Sequence, residues 1–123
     1  MVEAGKGGVM VNFGSLAGHT GGGGGTVPYA AAKAAVHTLT RGLARELAPK
    51  NIRVNCIAPG LIDTPMLNGR VSAELLDSLL KLTPMGRIGN PDEIARSTLM
   101  LLSPSASFIT GQVIDVNGGL LMR

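Results

Sequence analysis

The sequence predicts an α/β fold, a parallel sheet with flanking helices, and three observations carry that expectation. Three short apolar runs, at residues 8–15, at residues 52–59 and around Val113, Ile114 and Val116, have the length and makeup of buried strands. Between them lie stretches whose apolar residues recur at three- and four-residue steps, the period of an amphipathic helix. The order is strand, helix, strand, helix, strand, without internal repeat or linker, as expected when crossovers join parallel strands. All 123 residues read as one domain.

Each element follows from its residues. "GVMVNFGS" (8–15) is an apolar run ending in small residues. A glycine-rich loop follows. From Pro28 to Ala48 the residues Ala32, Val36, Leu39, Leu43 and Leu47 form one stripe, with Arg41, Arg45 and Glu46 on other faces. Thr26 is a suitable N-cap and Pro28 suits the first turn. Pro49 cannot extend the hydrogen-bond ladder, and Asn51 tolerates the left-handed conformation that ends helices. "IRVNCIAP" makes the second strand. Residues 61–84 are mixed, with a helical patch from Ser72 to Leu82. At "NPDEIARSTLMLLS", Asn90 is placed to cap, Pro91 to start the helix and Glu93 to close a capping box. "GQVIDVNGG" supplies the third strand. Three strands leave the edge that begins with the first one apolar and unpaired, so the sheet is expected to be incomplete.

Composition narrows the function classes. With 45% hydrophobic and 15% charged residues, the chain carries enough apolar surface to fold. Its net charge is +3, but the eleven basic residues are scattered and only three residues are aromatic, which argues against a nucleic-acid surface. The single cysteine, Cys56, lies in an apolar run and reads as a small buried hydrophobe. No apolar stretch reaches membrane-spanning length, and "MVEAGKGG" has neither the charge nor the apolar core of a signal peptide, so a cytoplasmic location is expected. His19 and His37 have no partners at metal-ligand spacing, no metal site is expected, and both read as incidental.

Chemistry concentrates in "GSLAGHTGGGGGTVPYAAAK", residues 14–33. Tyr29 and Lys33 are four residues apart, which puts them on one helix face. Taken alone, Ser15 reads sooner as a strand-end turn residue, Tyr29 as an interfacial packing residue and Lys33 as a solvated one. The order of "NFGSLAG", "YAAAK", "NIRVNCIAPGLIDTPM", "PMGRIGNPDEIA" and "ITGQVIDVNGG" over the whole chain is more specific. It resembles the C-terminal half of a short-chain dehydrogenase/reductase, most like the 3-oxoacyl-carrier-protein reductase type.

The resemblance implies half of a doubly wound Rossmann-type sheet and hydride transfer between NAD or NADP and a small carbonyl or alcohol substrate. It makes Tyr29 the proton donor or acceptor. Lys33 favours the ionised phenol and binds the cofactor ribose, and Ser15 orients the substrate oxygen. Pro59 and Gly60 fall at the strand end facing the nucleotide crevice, and Ile62 and Thr64 contact the nicotinamide. On their own residues, these four positions also read as a strand-terminating turn. Residues 65–83 become a substrate lid, in which Leu67, Leu75 and Leu76, with Met85 just beyond, either face an apolar substrate or simply pack. Arg87 braces the "MGRIG" turn. The run Gly21 to Gly25 makes the Ser15–Tyr29 spacing about one residue longer than the resemblance leads one to expect, either as a hinge or as a tolerated insertion. The pyrophosphate-binding turn of such a protein, its ribose 2′ selector and its catalytic asparagine have no counterparts in these residues. Met1 is therefore expected to be an internal residue, and the chain a fragment, a truncated product or one half of a split enzyme. It is expected to form a homo-oligomer or to pair with a complementing N-terminal half; the competing expectation is an inactive remnant acting only through association.

Overall fold

The computed structural model describes residues 1–69 and 71–123, with Asn68 described by its backbone alone. Strands β1 (Gly8–Phe13), β2 (Ile52–Pro59) and β3 (Val113–Val116) pair in the order β1-β2-β3, both pairs parallel. The second strand has the expected bounds. The first ends at Phe13 instead of Ser15, yet the Gly14 N–H still donates to the Ile57 carbonyl at 2.8 Å and the Leu16 N–H to the Pro59 carbonyl at 2.9 Å. Ser15 is thus held in line with the sheet although it lies past the strand.

The central strand is buried on both faces. Toward α2 (Val27–Leu47), Ile52 and Val54 pack with Ala44, Met10, Leu43 and Leu47, while Cys56, Ala58 and Val113 meet Val36. Toward α5 (Pro91–Leu102), Ile57 packs with Leu101 and Ala106, flanked by Val11, Ile94, Ile114 and Val116. Helices on opposite faces of a parallel sheet make three layers, the arrangement that alternating strands and helices predict.

Helix α2 departs from its expected stripe. Val36, Leu43 and Leu47 do pack, but Ala32 is exposed, Leu39 is 55% exposed, and the fully buried residues are Ala30, His37, Thr40 and Ala44. Small and polar side chains face the sheet because the helix crosses the exit of β1 closely; the periodicity of the leucines points about one helical position away from that contact. Thr26 stands at the N-cap, but its hydroxyl donates to the Gly23 carbonyl at 2.6 Å and makes no cap.

Two short helices lie in regions the sequence leaves as loop or mixed: α1 (Ala17–Thr20) and α3 (Pro65–Asn68). Gly21, at φ 81°, ends α1 in the left-handed region and donates its N–H to the Ala17 carbonyl. Helix α4 (Ala73–Leu82) starts on Ser72, whose hydroxyl accepts the Leu75 N–H. Helix α5 has the full capping box: Asn90 Oδ1 accepts the Asp92 N–H at 2.9 Å and Glu93 Oε2 accepts the Asn90 N–H at 2.7 Å. At its other end the Arg53 guanidinium donates to the Leu101 and Ser103 carbonyls at 2.9 and 3.2 Å, a cation at the negative pole of the helix.

Leu101 has no accessible surface. Leu101→Ala leaves a cavity between α5 and β2 and should cost about 2–5 kcal/mol, read as a lower denaturation midpoint at unchanged slope; a midpoint matching the parent would mean that α5 is not packed as described.

Candidate active site

The first two thirds of α2 carry Tyr29, Lys33, His37 and Thr40 at steps of four, four and three, so they line one face. Three of them grip the exit of β1. The Lys33 Nζ donates to the Phe13 carbonyl at 2.9 Å, the His37 Nε2 accepts the Ser15 N–H at 3.4 Å, and the Thr40 hydroxyl accepts from the Asn12 side-chain amide at 3.0 Å. The fourth, Tyr29, is 38% exposed, with Lys33 Nζ 5.8 Å from its ring centroid. The Ser15 hydroxyl accepts the Ala17 N–H at 3.1 Å, at the start of α1.

Tyr29 and Lys33 are therefore brought together as the spacing predicts, and Ser15 is tied to the same helix through its own amide and through Phe13. Of the other expected residues, Pro59 ends β2 and its carbonyl accepts the Leu16 N–H. Gly60 donates to the Val116 carbonyl at 3.0 Å and lies so close to Asn117 that a Cβ there would stand 2.6 Å from the Asn117 Cβ. Ile62 forms a parallel bridge with Gly89. Thr64 caps α3, its hydroxyl accepting the Leu67 N–H at 3.4 Å and donating to the Ile62 carbonyl at 3.3 Å. These four lie at and just past the end of β2, where it meets the end of β3, at the carboxyl edge that also carries Ser15.

Ile62 and Met85 share a cavity of about 80 Å³ with Leu61, Thr83 and Asn117. In the expected lid, Leu75 is 51% exposed and Met85 beside it 60%, while Leu67 and Leu76 are partly covered; Arg70 of that segment lies outside the described residues. Arg87 braces its turn, as expected. Its two terminal nitrogens donate to the Glu93 oxygens at 2.8 and 2.7 Å, and this pairing holds the Glu93 carboxyl down at about 2.

The residues that sequence reasoning missed are the histidines. His37 is 2% exposed, and its ring lies against that of His19, with centroids 4.3 Å apart. His19 Nε2 is 3.3 Å from Asp115 Oδ1 on β3, whose second oxygen accepts from Arg123 Nε at 2.8 Å. Burial lowers the pKa of both imidazoles; Arg123 and Arg41 push the same way, the His19–His37 neighbourhood adds to it at His37, and Asp115 opposes it. Burial also pushes the Cys56 thiol up, so it stays a neutral packing group. Among the described residues no group of three or more His, Cys, Asp or Glu is arranged to hold a metal ion, and no helix is long and apolar enough to cross a membrane.

Residues 1–121 match the family described as Enoyl-(Acyl carrier protein) reductase. The chain belongs to the short-chain dehydrogenase/reductase family. It is 48% identical over 120 residues to 3-oxoacyl-(acyl-carrier-protein) reductase FabG of Chlamydia muridarum, covering 98% of this chain and 47% of that protein. Among solved structures, a 7 alpha-hydroxysteroid dehydrogenase complexed with NADH and 7-oxo glycochenodeoxycholic acid superposes with a TM-score of 0.90 at 41% identity, over 96% of this chain and 46% of that one. A putative 2-deoxy-d-gluconate 3-dehydrogenase from Agrobacterium tumefaciens with bound NADP gives 0.91 at 38%, over 99% and 50%. The short-chain dehydrogenase/reductase chain described here thus spans about half the length of the relatives it matches. Its three parallel strands and flanking helices are part of a Rossmann-type sheet.

The two lowered imidazoles fix a sign for stability. The folded state binds their protons less readily than the unfolded chain, whose histidines titrate near 6.5, so stability rises with pH across the interval between the folded values and 6.5. Thermal unfolding should therefore come at lower temperature at pH 5.5 than at pH 7.5, an interval above the carboxylate range. A midpoint that is flat or higher at pH 5.5 would mean that these imidazoles charge freely in the fold.

Proposed function

We propose that this chain supplies the catalytic residues of an NAD- or NADP-dependent oxidoreductase of the 3-oxoacyl-(acyl-carrier-protein) reductase type, acting on a small carbonyl or alcohol. The observation that carries this reading is the placement of Lys33 beside an accessible Tyr29 at the strand exit that delivers Ser15. The donor set fits the nicotinamide end of such a cofactor: a phenol, an ammonium and two hydroxyls line the carboxyl edge, with backbone amides between them.

In this reading Tyr29 gives its phenolic proton to the carbonyl oxygen during reduction, or accepts the hydroxyl proton during oxidation. Lys33 places a positive charge beside the ring, where negative charge on the phenol oxygen develops as that proton leaves. One of its three N–H groups is used on Phe13, which leaves two for a cofactor ribose. The Ser15 hydroxyl donates to the same substrate oxygen and sets its orientation. Pro59, Gly60, Ile62 and Thr64, with Tyr29 and Lys33, would hold the nicotinamide riboside. That group, when bound, supplies or takes up the hydride. Residues 65–83 would cover the substrate. A cytoplasmic setting belongs to the same reading.

A second reading has its own support. The exposed Phe13 on edge strand β1, and relatives about twice as long, favour a chain that works only in association, as a homo-oligomer or with a complementing N-terminal half. An unpaired parallel edge is a template for another strand.

Tyr29→Phe should cut hydride transfer about 100-fold or more, the scale of a lost general acid, in whichever assembly turns over; Lys33→Met should weaken both turnover and cofactor affinity. Near-normal turnover in Tyr29→Phe would remove the phenol as proton donor.

The 123-residue chain by itself should bind NADH and NADPH weakly in calorimetric titration, because its matching residues reach only the nicotinamide end, and light scattering should show association rising with concentration. Micromolar cofactor binding by a compact monomer would overturn both expectations.

A further inference from the structure

The exit of β1 is shaped by an imidazole as much as by the lysine. The His37 ring fills the space above Gly14 and beside Gly18: a Cβ on Gly14 would stand 2.2 Å from the His37 Nε2, and one on Gly18 would stand 2.6 Å from its Cε1. Neither glycine has a positive φ, so close approach and not backbone conformation excludes a side chain there. Between those two contacts the imidazole accepts the Ser15 N–H. A nitrogen that accepts carries no proton, which places the proton of the neutral ring on Nδ1.

We propose that His37 is a positioning residue for Ser15: as the neutral imidazole it accepts the Ser15 amide at Nε2 and, with the Lys33 contact to Phe13, fixes the segment that carries the Ser15 hydroxyl. The role given to that hydroxyl rests on the oxidoreductase reading; the clamp itself rests on geometry alone. Protonation would turn Nε2 into a donor facing another donor, and the Ser15 amide would lose its partner. The charged and titratable groups around the ring are His19 on α1, Cys56 on β2, Asp115 on β3, Arg123 after it, and Lys33 and Arg41 on α2 itself. Only Asp115 favours the charged imidazole, and Arg123 already occupies one of its oxygens. The thiol is neutral, and Arg41, Arg123 and His19 oppose a further positive charge.

The test uses the full 123-residue chain, labelled with nitrogen-15. Long-range proton–nitrogen spectra should show an unprotonated His37 Nε2 at pH 7.5, with the Ser15 amide resonance moving as His37 titrates below pH 6.5. His37→Gln places an amide oxygen near the Nε2 position; it should keep the Ser15 amide protected from exchange and abolish its pH response. His37→Leu should lower that protection about tenfold, the scale of one lost hydrogen bond. A proton on Nε2 at pH 7.5 would overturn the proposal, as would a Ser15 amide that ignores the His37 titration. Should His37→Leu fail to fold, the parent titration and His37→Gln still decide. In an assembly that turns over, His37→Gln should flatten the acid limb of the kcat profile with little change in KM. If the amide follows His37 in an assembly without any oxidoreductase activity, the clamp stands and the reading of the reaction falls.

Discussion

The rest of the site depends on how close α2 comes to the end of β1. Gly14 and Gly18 have no side chains at the crossing, and Ala30, Thr40 and Ala44 keep the helix face low, so the His37 ring fits against the strand exit. Interiors packed at crystal-like density do not absorb an extra methyl by small adjustments. Widening this contact would move Lys33 off the Phe13 carbonyl and His37 off the Ser15 amide together, because both ride on one rigid helix. Tyr29, on the first turns of that helix, would move with them. One packing distance therefore sets how three side chains of α2 stand relative to the strand exit that carries Ser15.

Burial is distributed unevenly across the sheet. Five successive residues of β2, from Val54 to Ala58, are buried, whereas β1 has none in that class and β3 only Val113. The central strand thus carries most of the hydrophobic stabilisation, of the order of 1.5–3 kcal/mol for each large apolar side chain. Ser15 hangs from the least covered strand. It is held there by directional contacts from α2, and by the two backbone bonds that continue the β1–β2 ladder past Phe13. A strand paired to the open side of β1 would share in fixing that segment.

The elements that sequence reasoning reads correctly are those decided locally. The capping box at Asn90 and Glu93, the left-handed Asn51 that closes the α2 region and the bounds of β2 all depend on residues within a few positions. The face of α2 was legible only in part, because Val36, Leu43 and Leu47 of the expected stripe do pack while the closest contact is made one position away by alanine, threonine and histidine. Helix α1 is a single turn, too short for periodicity to register. Likewise the two histidines carry no motif. His19 and His37 are eighteen positions apart and meet only through the packing of α1 on α2, and Asp115 joins them from the far strand. Gly14 offered the one usable signal, a residue without a side chain directly before Ser15, but a glycine at a strand end has many ordinary explanations.

The side chains of this site divide by exposure into those open to solvent and those that hold the strand exit in place. Tyr29 keeps more than a third of its surface accessible, while His37 and Thr40 are sealed and spend their polar atoms on β1 and on the helix itself. A buried polar group is tolerated only when it is hydrogen-bonded, and a contact made on that condition is specific in direction as well as in distance. An apolar residue at position 37 could fill the same volume, but it would leave the Ser15 N–H to find its own partner. Histidine satisfies that donor at the cost of a group that can change charge, and burial, with His19 and the two nearby arginines, offsets the cost by holding the ring neutral. Close packing fixes how far the helix stands from the strand; the imidazole and the ammonium fix which way the strand exit faces.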